Sequence, residues 1–144
     1  MKKVLVAIDI ARSSGNDTCI KTAQDIAGTM DGTLILLHAI EPIPKYIVPS
    51  MPAGVLTKRK LEAEEETRKL AEQFNCSDVV VREGAPATII LEYALEINAD
   101  LIVLNSHDPG MAQFFLGSVA SEVVRHAHCS VHVVRHPETQ IQGK

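Results

Sequence analysis

The residues best suited to chemistry are a glycine and a serine side by side, Gly117-Ser118, opening a stretch of helical period that carries Val119, Val123 and Ala127. The first turn of a helix offers backbone N–H groups with no partner inside the helix and about half a positive charge. A Gly-Ser opening lets an anion such as phosphate come close to that backbone. Two roles stay open for Ser118: capping the helix with its own hydroxyl, or joining an anion-binding turn. Upstream lies Asn105-Ser106-His107-Asp108-Pro109-Gly110, where the His107 imidazole can serve a phosphate oxygen or nearby backbone. Asp9, directly after the apolar run Val4 to Ile8, is the first candidate carboxylate.

Other chemistries are excluded or weakened by what the chain lacks. It contains no G-x-x-x-x-G-K-[ST], no G-x-G-x-x-G and no G-x-S-x-G, which removes P-loop NTPases, dinucleotide-binding enzymes and nucleophile-elbow hydrolases. Asp9-Ile10-Ala11 lacks the second carboxylate of an aspartate phosphotransferase. His126, His128, His132 and His136 do not share a helix face, so no metal site is expected. Ser13 and Ser14 are ordinary turn residues or, as the alternative, phosphate contacts or self-phosphorylation sites.

The elements that must position these groups follow from hydrophobic period. Lys3–Ile8, Thr33–Ile40, Val79–Val81, Leu101–Leu104 and Val131–Val134 are short runs rich in Val, Ile and Leu without clean alternation. That pattern belongs to strands buried on both faces of a parallel sheet. Helical period separates them: Ile20, Ala23, Ala27 and Met30 before Asp31-Gly32, then Ala63, Thr67, Leu70 and Phe74, then Ala87, Ile90, Ala94 and Ile97 after Pro86. Glu64–Arg68 and Glu65–Lys69 are expected as i,i+4 pairs on the solvated side of the second helix. The expectation is a doubly wound α/β fold, a parallel five-stranded sheet of order 3-2-1-4-5 with helices on both faces. Ligands in such sheets bind beyond the carboxyl ends of the strands, so the segments 9–17, 41–54, 82–86 and 105–116 should carry function. Segment 41–54 holds four of the seven prolines along with Tyr46 and Ile47, and is either a lid, a partner surface or a stiffened excursion.

Composition bounds the partners. The 144 residues fit one domain, placed at 1–136, with 137–144 expected as a frayed tail. A net charge of -4 lacks the basic surplus that nucleic-acid binding needs, and the apolar run after Met1-Lys2-Lys3 is too short for a signal or a membrane span. A cytoplasmic location is expected, with no nucleic-acid or membrane partner. Cys19, Cys76 and Cys129 are odd in number and widely spaced, and read as small apolar residues.

Along nearly its whole length the chain resembles the universal stress proteins. The resemblance is carried by Val4-Leu5-Val6-Ala7-Ile8-Asp9, Leu37-His38-Ala39-Ile40, Arg82-Glu83-Gly84-Ala85-Pro86-Ala87, Leu116-Gly117-Ser118-Val119-Ala120, Val124-Arg125-His126-Ala127 and Val133-Val134-Arg135. It implies a homodimer of the adenine-nucleotide alpha-hydrolase-like fold, in a family where many members bind ATP or AMP, with Mg²⁺ as an optional companion, and others have lost the site. On the family pattern G-x2-G-x9-G-[ST], Gly117 and Ser118 would cradle phosphate and Val119 would add a backbone N–H. Asp9 matches the acid that contacts adenosine, and Ala39 the position whose backbone reads adenine. With Ala7, Ile8, Leu104, Asn105 and His107 these form the implied nucleotide-binding set; no catalytic residue is implied.

Two departures stand out. Asn105 and Asp108 replace the first two glycines, and eight residues separate Asp108 from Gly117. Asn tolerates a left-handed turn, whereas a carboxylate near phosphates repels them unless it points away or meets a cation. The shortened Ser-His-x-Pro loop resembles one branch of the family. Three functions follow for comparison: a stress protein that binds an adenine nucleotide as a signal, a nucleotide-free dimeric interaction module, and a slow ATP hydrolase or self-phosphorylating protein. The apolar edge run Val131 to Val134 invites pairing with a second copy, as the resemblance also implies.

Overall fold

A computed structural model of the chain describes residues 2–10, 15–106 and 116–135. Its strands are β1 (Lys3–Ile8), β2 (Thr33–Ile40), β3 (Asp78–Glu83), β4 (Leu101–Asn105) and β5 (Ser130–Val134). Its helices are α1 (Asn16–Thr29), α2 (Val55–Gln73), α3 (Pro86–Ile97) and α4 (Ser118–His126), with a short 3-10 turn at Val48–Ser50 inside segment 41–54. All strand pairs are parallel, in the order β3-β2-β1-β4-β5. The expected sheet is therefore present.

The continuous apolar runs are explained by helices on both sheet faces. Val4, Val6, Ile8, Leu36 and Val103 pack with Cys19, Ile20, Ala23 and Ala27 of α1 and Ala71 of α2. Leu5, Ala7, Leu37, Ile102 and Leu104 pack on the other face with Ala87, Ile90 and Ala94 of α3 and Ala120 and Val123 of α4. Successive residues of a strand point to opposite faces, so each central strand feeds both layers. Truncating a fully buried side chain such as Leu36 to alanine should cost about 2–5 kcal/mol.

Local signals set the helix ends. Pro86 occupies the first turn of α3, and Asn98 closes that helix in the left-handed region at φ 55° while Ala99 N donates to Ala94 O at 2.9 Å. Gly32 sits where the chain passes closest to β1: an added Cβ would lie 2.8 Å from Lys2 O, and Thr33 N donates to that same oxygen. Cys19 is fully buried, and burial pushes its thiol up to about 12, which makes it an apolar filler in practice.

Two expectations need correction. Arg68 pairs with Glu65 one turn back, rather than with Glu64, because the i,i+3 spacing brings the guanidinium to that carboxylate. The edge strands β3 and β5 extend past their apolar runs, taking in Asp78, Arg82, Glu83 and Ser130, since backbone pairing tolerates polar side chains where a strand is exposed.

Candidate functional site

The sheet order reverses at β1, with β2 on one side and β4 on the other. β1 stays in register with β2 as far as Ile8↔His38, whereas its register with β4 runs from Val4↔Leu101 to Val6↔Val103. The carboxyl ends of β1 and β4 therefore meet at the switch point, which is where ligands bind in open α/β sheets.

Alternation sorts the candidate residues between the two faces. Ala7 and Leu104 lie in the layer of α3 and α4, and within β2 the same two-residue period carries Ala39 (two after Leu37) to that side, while Asp9 and Ser106 directly follow the ends of β1 and β4. Ile8 lies in the layer of α1 and α2, and Asn105 follows Val103 toward that layer. His107, Asp108, Ser13 and Ser14 lie outside the described residues.

Asp9 is held from behind. The Asn16 side chain, buried at the first position of α1, donates from Nδ2 to Asp9 O at 2.8 Å and accepts from Asp9 N at 3.4 Å. Gly15 before it adopts φ 88°, a left-handed geometry that glycine reaches without strain and that starts the helix here. On the next strand, buried His38 places Nδ1 3.3 Å from Ile8 O and 3.4 Å from Ile10 N. The backbone on either side of Asp9 is thus clamped by two polar side chains from the α1/α2 face.

Neither clamp was anticipated as a functional residue. The available signals were a histidine inside an otherwise apolar strand and an asparagine at a helix start.

The N-terminus of α4 is tied to the chain just past β4 through Gly117 N and Ser106 O. Its N-cap is Gly117, with no side-chain cap hydrogen bond and no acidic residue in the first turn. Ser118 is the first helical residue and is exposed, so it does not cap the helix. The first intrahelical bond runs from Ser121 N to Gly117 O at 2.8 Å, leaving the amides of Ser118, Val119 and Ala120 ahead of the ladder. Arg125 and His126 sit in the last turn, where cations complement the helix dipole.

Ser106 connects this helix to the sheet. Its amide donates to Val134 O at 3.0 Å, and its carbonyl accepts from Gly117 N at 2.7 Å. Its side chain is fully buried, and Oγ has no hydrogen-bond partner. Backbone amides ahead of the intrahelical ladder suit an anionic oxygen better than a cation. Among the described residues no three His, Cys, Asp or Glu side chains are grouped to hold a metal ion, and no helix is long and apolar enough to cross a membrane.

Comparison with known proteins agrees with this architecture. The profile of the universal stress protein family matches residues 1–135. The chain belongs to the universal stress protein family. It is 32% identical over 139 residues to universal stress protein A homolog 2 of Coxiella burnetii, covering 93% of this chain and 94% of that one. The solved structure of universal stress protein UspA from Lactobacillus plantarum superposes with a TM-score of 0.73 at 23% identity, over 93% of this chain and 97% of that one. A universal stress protein solved in complex with cAMP superposes with a TM-score of 0.59 at 26% identity, covering 93% and 96%.

Proposed function

We propose that this universal stress protein binds an adenine nucleotide, ATP or AMP, as a signal rather than as fuel. The nucleotide lies across the carboxyl ends of β1 and β4, with its phosphates on the first turn of α4 and its nucleoside toward Asp9 and Ala39. The observation that carries this reading is the start of α4, which among the described residues has no capping side chain and no acidic residue in its first turn, in a sheet whose β1 end is fixed by Asn16 and His38. The cAMP complex of a related universal stress protein supports it, since cAMP shares the adenine, ribose and phosphate chemistry. The same reading makes the protein a cytoplasmic homodimer joined through β5.

Thermal-shift and calorimetric titrations with ATP, ADP, AMP and cAMP, each with and without Mg²⁺, test it. Ligand at 100 times its dissociation constant should stabilise the fold by about 2.7 kcal/mol, a rise of several degrees in Tm. No shift with any of them at millimolar concentration overturns it. That outcome leaves the second reading, an interaction module independent of nucleotide, which is favoured by the 83% exposure of Tyr46 in segment 41–54.

A further inference from the structure

We propose that His38 is a protonation-controlled latch on the end of β1: neutral, it holds the Ile10 amide through a bare Nδ1; protonated, it releases that amide and holds the Ile8 carbonyl instead. The latch belongs to the ligand-free chain and stands independently of the nucleotide reading. The residue between its two contacts is Asp9.

The backbone ladder between β1 and β2 runs as far as the pair Ile8↔His38. There the buried His38 side chain reaches across to β1, with Nδ1 3.3 Å from Ile8 O and 3.4 Å from Ile10 N. A ring nitrogen carries either a lone pair or a proton, so it serves one of these groups at a time. In the neutral ring the amide decides the choice, because a buried N–H left unpaired is rarer than a carbonyl short of a partner. Nδ1 therefore stays bare and accepts from Ile10. Acid puts a proton on both ring nitrogens, and Nδ1 then faces the amide proton with a proton of its own. Only Ile8 O can take that hydrogen bond.

The surroundings leave the ring free to act in this way. Cys19 is the one ionisable group among the buried residues of α1 and α2, and burial pushes its thiol up to about 12, which keeps it neutral. The charged residues of both helices are exposed apart from Arg59, which is engaged at Glu41 O. On the other side β3 sets Val81 opposite His38, and Glu83 two residues beyond is exposed. Asn16 donates to Asp9 O at 2.8 Å from α1, whichever group His38 serves. Release of Ile10 thus swings the chain about Asp9 and leaves β1 paired.

NMR of the ligand-free chain between pH 8 and 5, the range over which histidines change charge, tests the latch. The comparison is His38→Asn, whose amide puts a polar atom that does not titrate near the place of Nδ1. In wild type the His38 Nδ1 should carry no proton at pH 8 and gain one on acidification. Protection of the Ile10 amide against hydrogen exchange, corrected for the intrinsic effect of pH, should fall about fivefold or more over the same range. In His38→Asn that protection should stay constant. A proton on Nδ1 at pH 8, an Nδ1 still bare at pH 5, unchanged protection of Ile10 in wild type, or an equal fall in the variant each overturn the latch. The nitrogen signals are read on wild type alone, so they decide the matter even where His38→Asn does not fold.

Discussion

His38 Nδ1 stands 3.3 Å from the carbonyl oxygen of Ile8, thirty positions earlier in the chain, and ties the end of β1 to β2 just before Asp9. The same nitrogen is 3.4 Å from Ile10 N, so a single ring atom faces an acceptor on one side of Asp9 and a donor on the other. With Nδ1 bare it accepts from Ile10; with Nδ1 protonated it donates to Ile8. Replacing His38 by leucine keeps an apolar side chain in the strand but removes both options. The expected cost is about 1–3 kcal/mol, read as a lower urea midpoint at unchanged m-value.

Asn16 makes the complementary clamp with both faces of its amide. In Asn16→Ala the backbone of Asp9 loses a donor and an acceptor at a buried position, so a similar destabilisation of about 1–3 kcal/mol is expected. Asn16→Asp discriminates further. It keeps an acceptor for Asp9 N but turns a carboxylate toward Asp9 O. Nucleotide affinity should therefore fall more in Asn16→Asp than in Asn16→Ala, as measured by calorimetry at pH 7; the reverse order would show that charge at this end of the sheet is unimportant.

Cys19 supplies a pH dependence whose sign is fixed. Burial raises its folded value from 9.0 to about 12, so the unfolded chain loses this proton first. Stability from this group is fully present below pH 9 and falls as pH rises toward 12, by roughly 2 kcal/mol at pH 10.5. The urea midpoint of wild type should drop more steeply between pH 8 and 10.5 than that of Cys19→Ala. Equal slopes would mean that the thiol does not take part.

β5 provides the test of self-association. Val131 and Val133 pack against the α3/α4 layer, while His132 is exposed. Val133→Lys would therefore disturb the core together with any dimer, and His132→Glu is the cleaner change. Antiparallel self-pairing centred on this five-residue strand would set position 132 opposite its own copy, where like charges destabilise. Sedimentation should give twice the chain mass for wild type and the monomer mass for His132→Glu. An undiminished dimer in the variant points to another surface.

Most of the fold was legible in the sequence because buried parallel strands need unbroken aliphatic runs, and Lys3–Ile8 and Thr33–Ile40 were delimited to the residue. β3 and β5 were drawn too short, since Asp78, Arg82, Glu83 and Ser130 are polar and only the backbone ladder includes them. Arg82 shows why such a residue is tolerated there: its guanidinium makes two hydrogen bonds to Glu96 and lies 4.6 Å from the centre of the Tyr93 ring. At the site, Gly117 and Asp9 were marked by type and spacing. His38, Asn16 and Ser106 were not, because what distinguishes them is contact across the fold: an amide clamping Asp9, an imidazole reaching β1, and a hydroxyl left without a partner.

The hydrogen bond from Ser106 N to Val134 O joins the residue that follows β4 to the outermost strand, β5. Should a second copy pair along β5 and a ligand sit beyond the end of β4, this bond would let each bear on the other. Such an exchange is reciprocal: an occupant that tightens the grip of one copy on another is itself held more tightly by the pair, and by the same factor.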